Sequence, residues 1–313
     1  MLDKVSLHLK ARIQQFPSSD KIIFNNKLIE VDKNNFEIIS DNFPSKSIAF
    51  IDGGQAEVIS AGNFCLSLIR VGALIYFNNQ KIKDYKHEFY LLTTAKYEDE
   101  EVVYESKIFS LGNETLINED DLSISSTDTT IRVGMERASI SQISNIARRF
   151  AELSLCSKVD ADIIILDGIL EPSFRNEEKY LSKLPVNACT LAKTSSLFTV
   201  TGNSPVVLLN RISPSGCWSY TVENNTCFVK LHPRSRHIFR FTGNRNVLPS
   251  LMENSKDAVF LGYPYGLIAV DKFVRVSNEE KKSLRMNILL KAENKDIAEY
   301  LSTINAHDIL DSI

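Results

Sequence analysis

No stretch of this chain approaches the roughly 20 consecutive apolar residues that a membrane-spanning helix needs, so a transmembrane protein is not expected. Cysteine is sparse and unpatterned. The five residues Cys65, Cys156, Cys189, Cys217 and Cys227 are odd in number and form no CxxC pair. That argues against a disulfide framework and fits buried or free thiols in a reducing cytoplasm. The five histidines show no HExxH spacing, so a structural zinc site is not expected. Neither sign of charge dominates. With 36 Lys and Arg against 39 Asp and Glu the formal charge is −3, which excludes bulk attraction to nucleic acid or to an anionic membrane. Any polyanion site has to be a local basic groove. There is no internal repeat and no low-complexity linker. The opening "MLDKVSLHLKARIQQF" is amphipathic, charged throughout, and lacks the apolar stretch of a secretory signal, so a cytoplasmic location is expected.

An apolar fraction of 43% over 313 residues is enough for a substantial core. The pattern reads as one α/β domain over 1–313, with helical extensions at both ends. Residues 3 to 16 read as a helix with Leu7, Ala11 and Ile13 on one face and Pro17 as its stop. Residues 21 to 40 read as short strands around turns at "FNNK" and "DKNN". A strand at 47–52 is followed by β-rich runs at 65–77 and 87–97, parted by the polar turn "NNQKIKDYK", and then by "EVVYESKIFSL". The acidic, polar segment 112–130 reads as an exposed loop. A long helix is expected over about 132–156 and a strand over 162–167. "SGCWSYTVE", "NTCFVKLH" and "RHIFRFTG" form a late meander. A capping box at Ser277 and Glu280 opens a C-terminal helix, and a further helix follows.

Two segments say nearly the same thing: "IAFIDGG" (48–54) and "IIILDGIL" (163–170). Continuous apolar runs mark strands covered on both faces, and ligands collect at the carboxyl ends of such strands. The pattern puts Asp52 and Asp167 at those ends, or else each Asp simply begins an Asp-Gly turn. In the expected helix, Ile140, Ile143, Ala147, Phe150 and Ser154 follow 3–4 spacing. Glu136 stands four residues before Ile140 on that inward stripe, whereas Glu152 aligns with Ser141, Asn145 and Arg148 on the wet face. A buried Glu136 needs a cation; in the first turn it can equally stay solvated. Two strand-end aspartates and a helix glutamate offer hard oxygen ligands for one or two Mg²⁺ or Mn²⁺ ions, the apparatus of phosphodiester cleavage. Strand, β-meander, helix with Glu and strand with Asp is the order of the ribonuclease H-like fold.

With "FIDGG", "MER", "IILDGIL", "LAKTS", "CFVKLHPRSRHIFRF" and "GYPYGLIAVDKF" in this order, the chain resembles the NurA nucleases over about 45–290. The resemblance implies a manganese-dependent 5′-to-3′ exonuclease and single-strand endonuclease. It also implies a homodimer that docks on a hexameric HerA-type DNA-translocating ATPase in DNA-end resection. Carried over by position, Asp52, Glu136 and Asp167 are metal ligands, Lys193 faces substrate phosphate or orients water, and Tyr263 is the tyrosine of the "GYP" motif. Some members have a histidine eight residues after that tyrosine; this chain has Asp271, which can add a ligand or orient water but cannot act as an imidazole.

"VKLHPRSRHIFRF" places Lys230, His232, Arg234, Arg236, His237 and Arg240 within eleven residues. In a strand over 236–241, Phe239 and Phe241 face one way and Arg236 and Arg240 the other. The cations then meet a single-stranded DNA backbone or form surface ion pairs. Two other classes are weighed. An actin-like or sugar-kinase-like ATPase would use "DGG" as a phosphate-cradling turn. A catalytically inactive adaptor would bind the DNA motor without cleaving. Dimer contacts are expected from the C-terminal helices or from apolar residues of the N-terminal helix.

Overall fold

The computed structural model describes residues 1–14, 20–42, 45–194, 196–223 and 225–304. The expected helix stop at Pro17 lies outside them. The fold is α/β, and the chain divides into two compact units. One comprises residues 1–46, 167–169 and 189–265, the other residues 47–166, 170–188 and the chain from 266 onward. No helix among the described residues is long and apolar enough to cross a membrane.

The larger unit is built on β4 (Ser47–Ser60), β5 (Phe64–Phe77), β6 (Gln80–Glu98), β7 (Glu101–Ser110), β8 (Ile124–Ser125) and β9 (Ile163–Asp167). Their order is β9-β4-β5-β6-β7-β8. β9 runs parallel to β4, in register from Ile48↔Ile163 to Ile51↔Leu166, and the other pairs are antiparallel, so the sheet is mixed. Helix α2 (Gln142–Cys156) buries Ile143, Ile146, Ala147, Phe150 and Ala151 in one cluster with Ile69, Val71 and Leu166. The 3–4 spacing of the apolar residues drives that contact. Short α3 (Glu178–Leu181) follows β9.

The opposite face of the sheet is covered by α6 (Tyr265–Val274), which leads into α7 (Asn278–Leu289) and α8 (Lys295–Ile304). Contact is close because side chains are missing where it occurs. A Cβ on Gly54 would lie 2.3 Å from the Val274 carbonyl oxygen, and one on Gly266 would lie 2.0 Å from the Phe50 ring. Arg70 of β5, almost fully buried, fixes the next turn of chain. Its guanidinium donates to Glu88 at 2.5 Å, to Glu280 at 2.6 Å and to the Arg275 carbonyl at 2.9 Å. Ser277 caps α7 by accepting from the Glu280 amide at 3.1 Å, as the capping box predicts.

The smaller unit holds α1 (Leu2–Gln14), the hairpin β1 (Lys21–Phe24) and β2 (Lys27–Glu30), β3 (Phe36–Ile38), β10 (Ala188–Ala192), α4 (Pro205–Ile212), β11 (Trp218–Glu223), β12 (Thr226–Lys230), β13 (Phe239–Thr242) and α5 (Leu248–Asn254). The strands lie in the order β3-β11-β12-β13-β10, all antiparallel. Trp218, Tyr220 and Phe228 form the centre of its core with Ile22, Phe24 and Leu209.

Several expectations change. β4 runs straight through Asp52-Gly53-Gly54, which pair with Gly72, Val71 and Arg70, so Asp52 is inside a strand and begins no turn. The turn before β6 is only Asn78-Asn79, both in left-handed backbone, the geometry a two-residue hairpin requires. Segment 112–130 is not simply exposed, because Ile117, Leu122 and Ile124 are buried and anchor it. The helix expected from 132 begins at Gln142. α4 was signalled by Ser204-Pro205, a cap residue followed by proline at the first helical position. All five cysteines are buried free thiols, as expected, and burial pushes the Cys189 and Cys227 thiols up to about 11 and about 12.

Substituting Gly54→Ala should lower unfolding free energy in urea by about 1–3 kcal/mol, because backbone cannot yield to the new methyl. Gly62→Ala, which meets nothing within 4 Å, should stay within about 0.5 kcal/mol. The Arg70 hydrogen bond holds the Glu280 carboxyl below its ordinary value, against the opposing effect of burial. That stabilisation is complete above the unfolded value of 4.5 and is lost as pH falls through the lower folded one. Urea titrations across that acid window should show a shallower pH slope in Glu280→Gln.

Candidate functional site

The residues singled out by sequence fall into two sets, one in each unit. In the smaller unit, three that are distant in sequence touch one another. Asp167 is the last residue of β9 and Lys193 follows β10. The Lys193 ammonium lies 2.6 Å from Asp167 Oδ2 and 5.5 Å from the centroid of the Tyr263 ring. Tyr263 is largely buried, and its ring packs against Phe239 at 5.2 Å between centroids. A cation held between a carboxylate and an aromatic face is attracted by both.

The turn that delivers Tyr263 depends on Gly262. Its φ is +91°, and a Cβ there would lie 2.5 Å from the Ser235 Cβ. The Gly262 amide donates to the Ser255 carbonyl at 2.9 Å and the Tyr263 amide to the Phe260 carbonyl at 3.0 Å. Ser235 belongs to the basic segment between β12 and β13, so that segment leans on the turn. Arg234 and Arg236 are exposed there and Lys230 is half-buried. Burial, and then the charges of Arg234, Lys256 and Lys230, hold the His232 imidazole below its ordinary value. Arg240 does not belong to this surface. β13 starts at Phe239 instead of 236, and Arg240 is 8% exposed with its guanidinium 5.0 Å from the centre of the Phe24 ring. Its expected role as a DNA-facing cation is corrected to a core contact. Phe239 and Phe241 are buried on one face and Arg240 on the other, so neither face of the strand is free for phosphates.

In the larger unit, side chains alternate across β4. Phe50, Asp52 and Gly54 face α6, whereas Gly53 faces α2. Asp52 accepts from the Gly53 amide at 2.8 Å. Asp271 lies on α6, the helix over Asp52's face of the sheet, and pairs with Arg275 one turn on. Glu136 is not on a helix. It lies on an exposed stretch six residues before α2, so the inward stripe does not reach it. The buried helix carboxylate is Glu152, which the spacing had assigned to the wet face. A Cβ on Gly53 would sit 2.6 Å from Glu152 Oε1. Arg148 and Arg149 stand 3.6 and 4.0 Å from that carboxylate, and Arg148 also donates to the Gly53 carbonyl at 3.1 Å. Two adjacent arginines one turn before a glutamate, opposite a glycine pair, was the available signal.

The donor set suits a hard divalent ion, because it is all carboxylate oxygen. The arrangement does not. Among the described residues no three His, Cys, Asp or Glu side chains are grouped to hold a metal. Asp167 holds Lys193, Glu152 is flanked by two arginines, and Asp52 and Glu152 approach β4 from opposite faces. As they stand, these side chains do not fit a bound ion.

No family model and no curated protein matches this chain. Among solved structures it is similar to the NurA nuclease of Sulfolobus solfataricus, at 13% identity over 90% of each chain with a TM-score of 0.48. It is also similar to human ENDOV, at 12% identity over 77% of this chain and 85% of that one, TM-score 0.37. Ciona intestinalis endonuclease V in complex with an inosine-containing 24mer DNA matches at 13% identity over 76% and 87%, TM-score 0.38. At such identities these likenesses concern the fold alone.

Gly262→Ala should loosen the turn before Tyr263. Amide hydrogen exchange of 257–263 should rise by about tenfold or more, since the strained backbone and the Ser235 contact act together. Unchanged exchange would show that Gly262 does not hold this turn.

Proposed function

We propose that this chain is a deoxyribonuclease that hydrolyses phosphodiester bonds in single-stranded DNA or at DNA ends. The observation that supports it is the convergence of Asp167, Lys193 and Tyr263 beside a loop that exposes Arg234 and Arg236. Lys193 offers three donors and no acceptor, which suits a non-bridging phosphate oxygen. When a phosphate takes the ammonium, the Asp167 carboxylate is released to accept a proton from the attacking water. The water oxygen then bonds to phosphorus as the bond to the leaving sugar oxygen breaks, and that oxygen takes up a proton. The Tyr263 ring holds the ammonium in place meanwhile. Lys230, Arg234 and Arg236 serve the backbone of the bound strand.

Roles for Asp52 and for Asp271, which lies on the helix covering the same side of the sheet, are part of what the resemblance implies. Glu136 remains in it only as an exposed carboxylate. The requirement for Mn²⁺ or Mg²⁺, two ions in all, is part of the reading that the resemblance implies. So are 5′-to-3′ polarity, a HerA-type hexameric partner, end resection at the chromosome and a homodimer. The exposed apolar residues of α1, among them Leu7 and Ile13, suit a subunit contact. The ATPase alternative loses its premise, because "DGG" forms strand and not a phosphate-cradling turn.

Single-strand cleavage should fall by about 100- to 1,000-fold in Asp167→Asn and Lys193→Met, with folding retained. Full activity in both Asp167→Asn and Lys193→Met would place the chemistry elsewhere. Arg240→Met should weaken stability in urea far more than it weakens DNA binding.

A further inference from the structure

At the tip of the turn before Tyr263, Val259 is 77% exposed and Phe260 is 51% exposed. The turn holds them out. The Asp257 carboxylate accepts from the amides of Val259 at 2.9 Å and Phe260 at 3.4 Å, an Asx turn that fixes the first half. The Gly262 and Tyr263 amides fix the second half through Ser255 and Phe260. Hydrogen bonds in both halves hold the backbone of Val259 and Phe260 at the surface. The same turn rests on the basic loop, where Gly262 meets Ser235 and lies within reach of the His232 Cβ. Arg234 and Arg236, both exposed, flank Ser235 in sequence. An exposed aromatic beside a positive loop matches the chemistry of a single-stranded nucleic acid, with a base on the ring and phosphates on the guanidinium groups. A protein contact of this kind would want a larger apolar patch without flanking cations.

We propose that Phe260, backed by Val259, is a stacking platform for one unpaired base of the substrate strand, which it seats beside Tyr263. This rests on the nuclease reading and names the feature of the substrate that it selects, a base free to leave its own stack. Phe260 acts as a positioning residue, with no part in the bond-breaking step.

The test uses the full chain and a labelled thymidine oligonucleotide of about 15 residues, the span of a single-strand site, with phosphorothioate linkages to resist cleavage. Phe260→Ala should weaken binding by about 5- to 150-fold, the range of one base–aromatic stack. Phe260→Trp should bind near the wild-type value, and the new indole should lose fluorescence on saturation, against the constant background of the buried Trp218. An abasic strand of equal length should bind wild type and Phe260→Ala alike. Equal affinity of Phe260→Ala for the thymidine strand, with no quenching in Phe260→Trp, overturns the platform and leaves the patch to a protein partner. No affinity of the wild type for either strand overturns the nuclease reading itself.

Discussion

The ion pair between Lys193 and Asp167 is short but wet. Its members are 48% and 25% exposed, the range in which such pairs contribute about 0–1 kcal/mol. That weakness gives it a function. A phosphate or a cation can take either partner at almost no energetic cost, whereas a buried pair resists exchange. The contrast lies in α2, where Arg149 meets Glu177 at 2.8 Å with both side chains nearly sealed. Glu177 also accepts from the amides of Ser173 and Phe174, which ties the buried pair to the backbone before α3. By this measure the Asp167 pair is built to open and the Arg149 pair to hold.

The glycines of β4 set a second constraint. Gly54 lets α6 reach the backbone of one face, and Gly53 makes room for Arg148 and Glu152 on the other. A strand sandwiched this tightly sends alternate residues to opposite layers. Asp52 and Glu152, adjacent by contact with one dipeptide, therefore approach the sheet from different sides. Their chemistry matches a shared metal ion and their geometry does not. This is why Glu152 reads best as the counter-charge of two arginines in the core layer.

Much of this was legible in the residues. The continuous apolar runs located β4 and β9, and Asp167 does end its strand. The capping box at Ser277 and the late meander followed local rules. Three expectations failed, each for its own reason. Asp52 reads as a strand end because the apolar run stops there, but β4 continues through the two glycines, which admit helices on both faces. Arg240 was placed by alternation alone, which does not distinguish a solvent face from a second buried face. Glu136 was placed by extending the α2 stripe through "RVGMER", where Gly134 adopts a φ of +65° outside any helix. The contact of Lys193 with Tyr263 joins residues 70 positions apart, and no local pattern encodes it.

The most direct measurement is a crystal structure of the chain with a short single-stranded deoxyoligonucleotide bound. A backbone phosphate oxygen should lie about 3 Å from Lys193 Nζ, hydrogen-bond distance, with the ammonium drawn away from Asp167. Lys193 still closed on Asp167, with the strand seated on another surface, would contradict it.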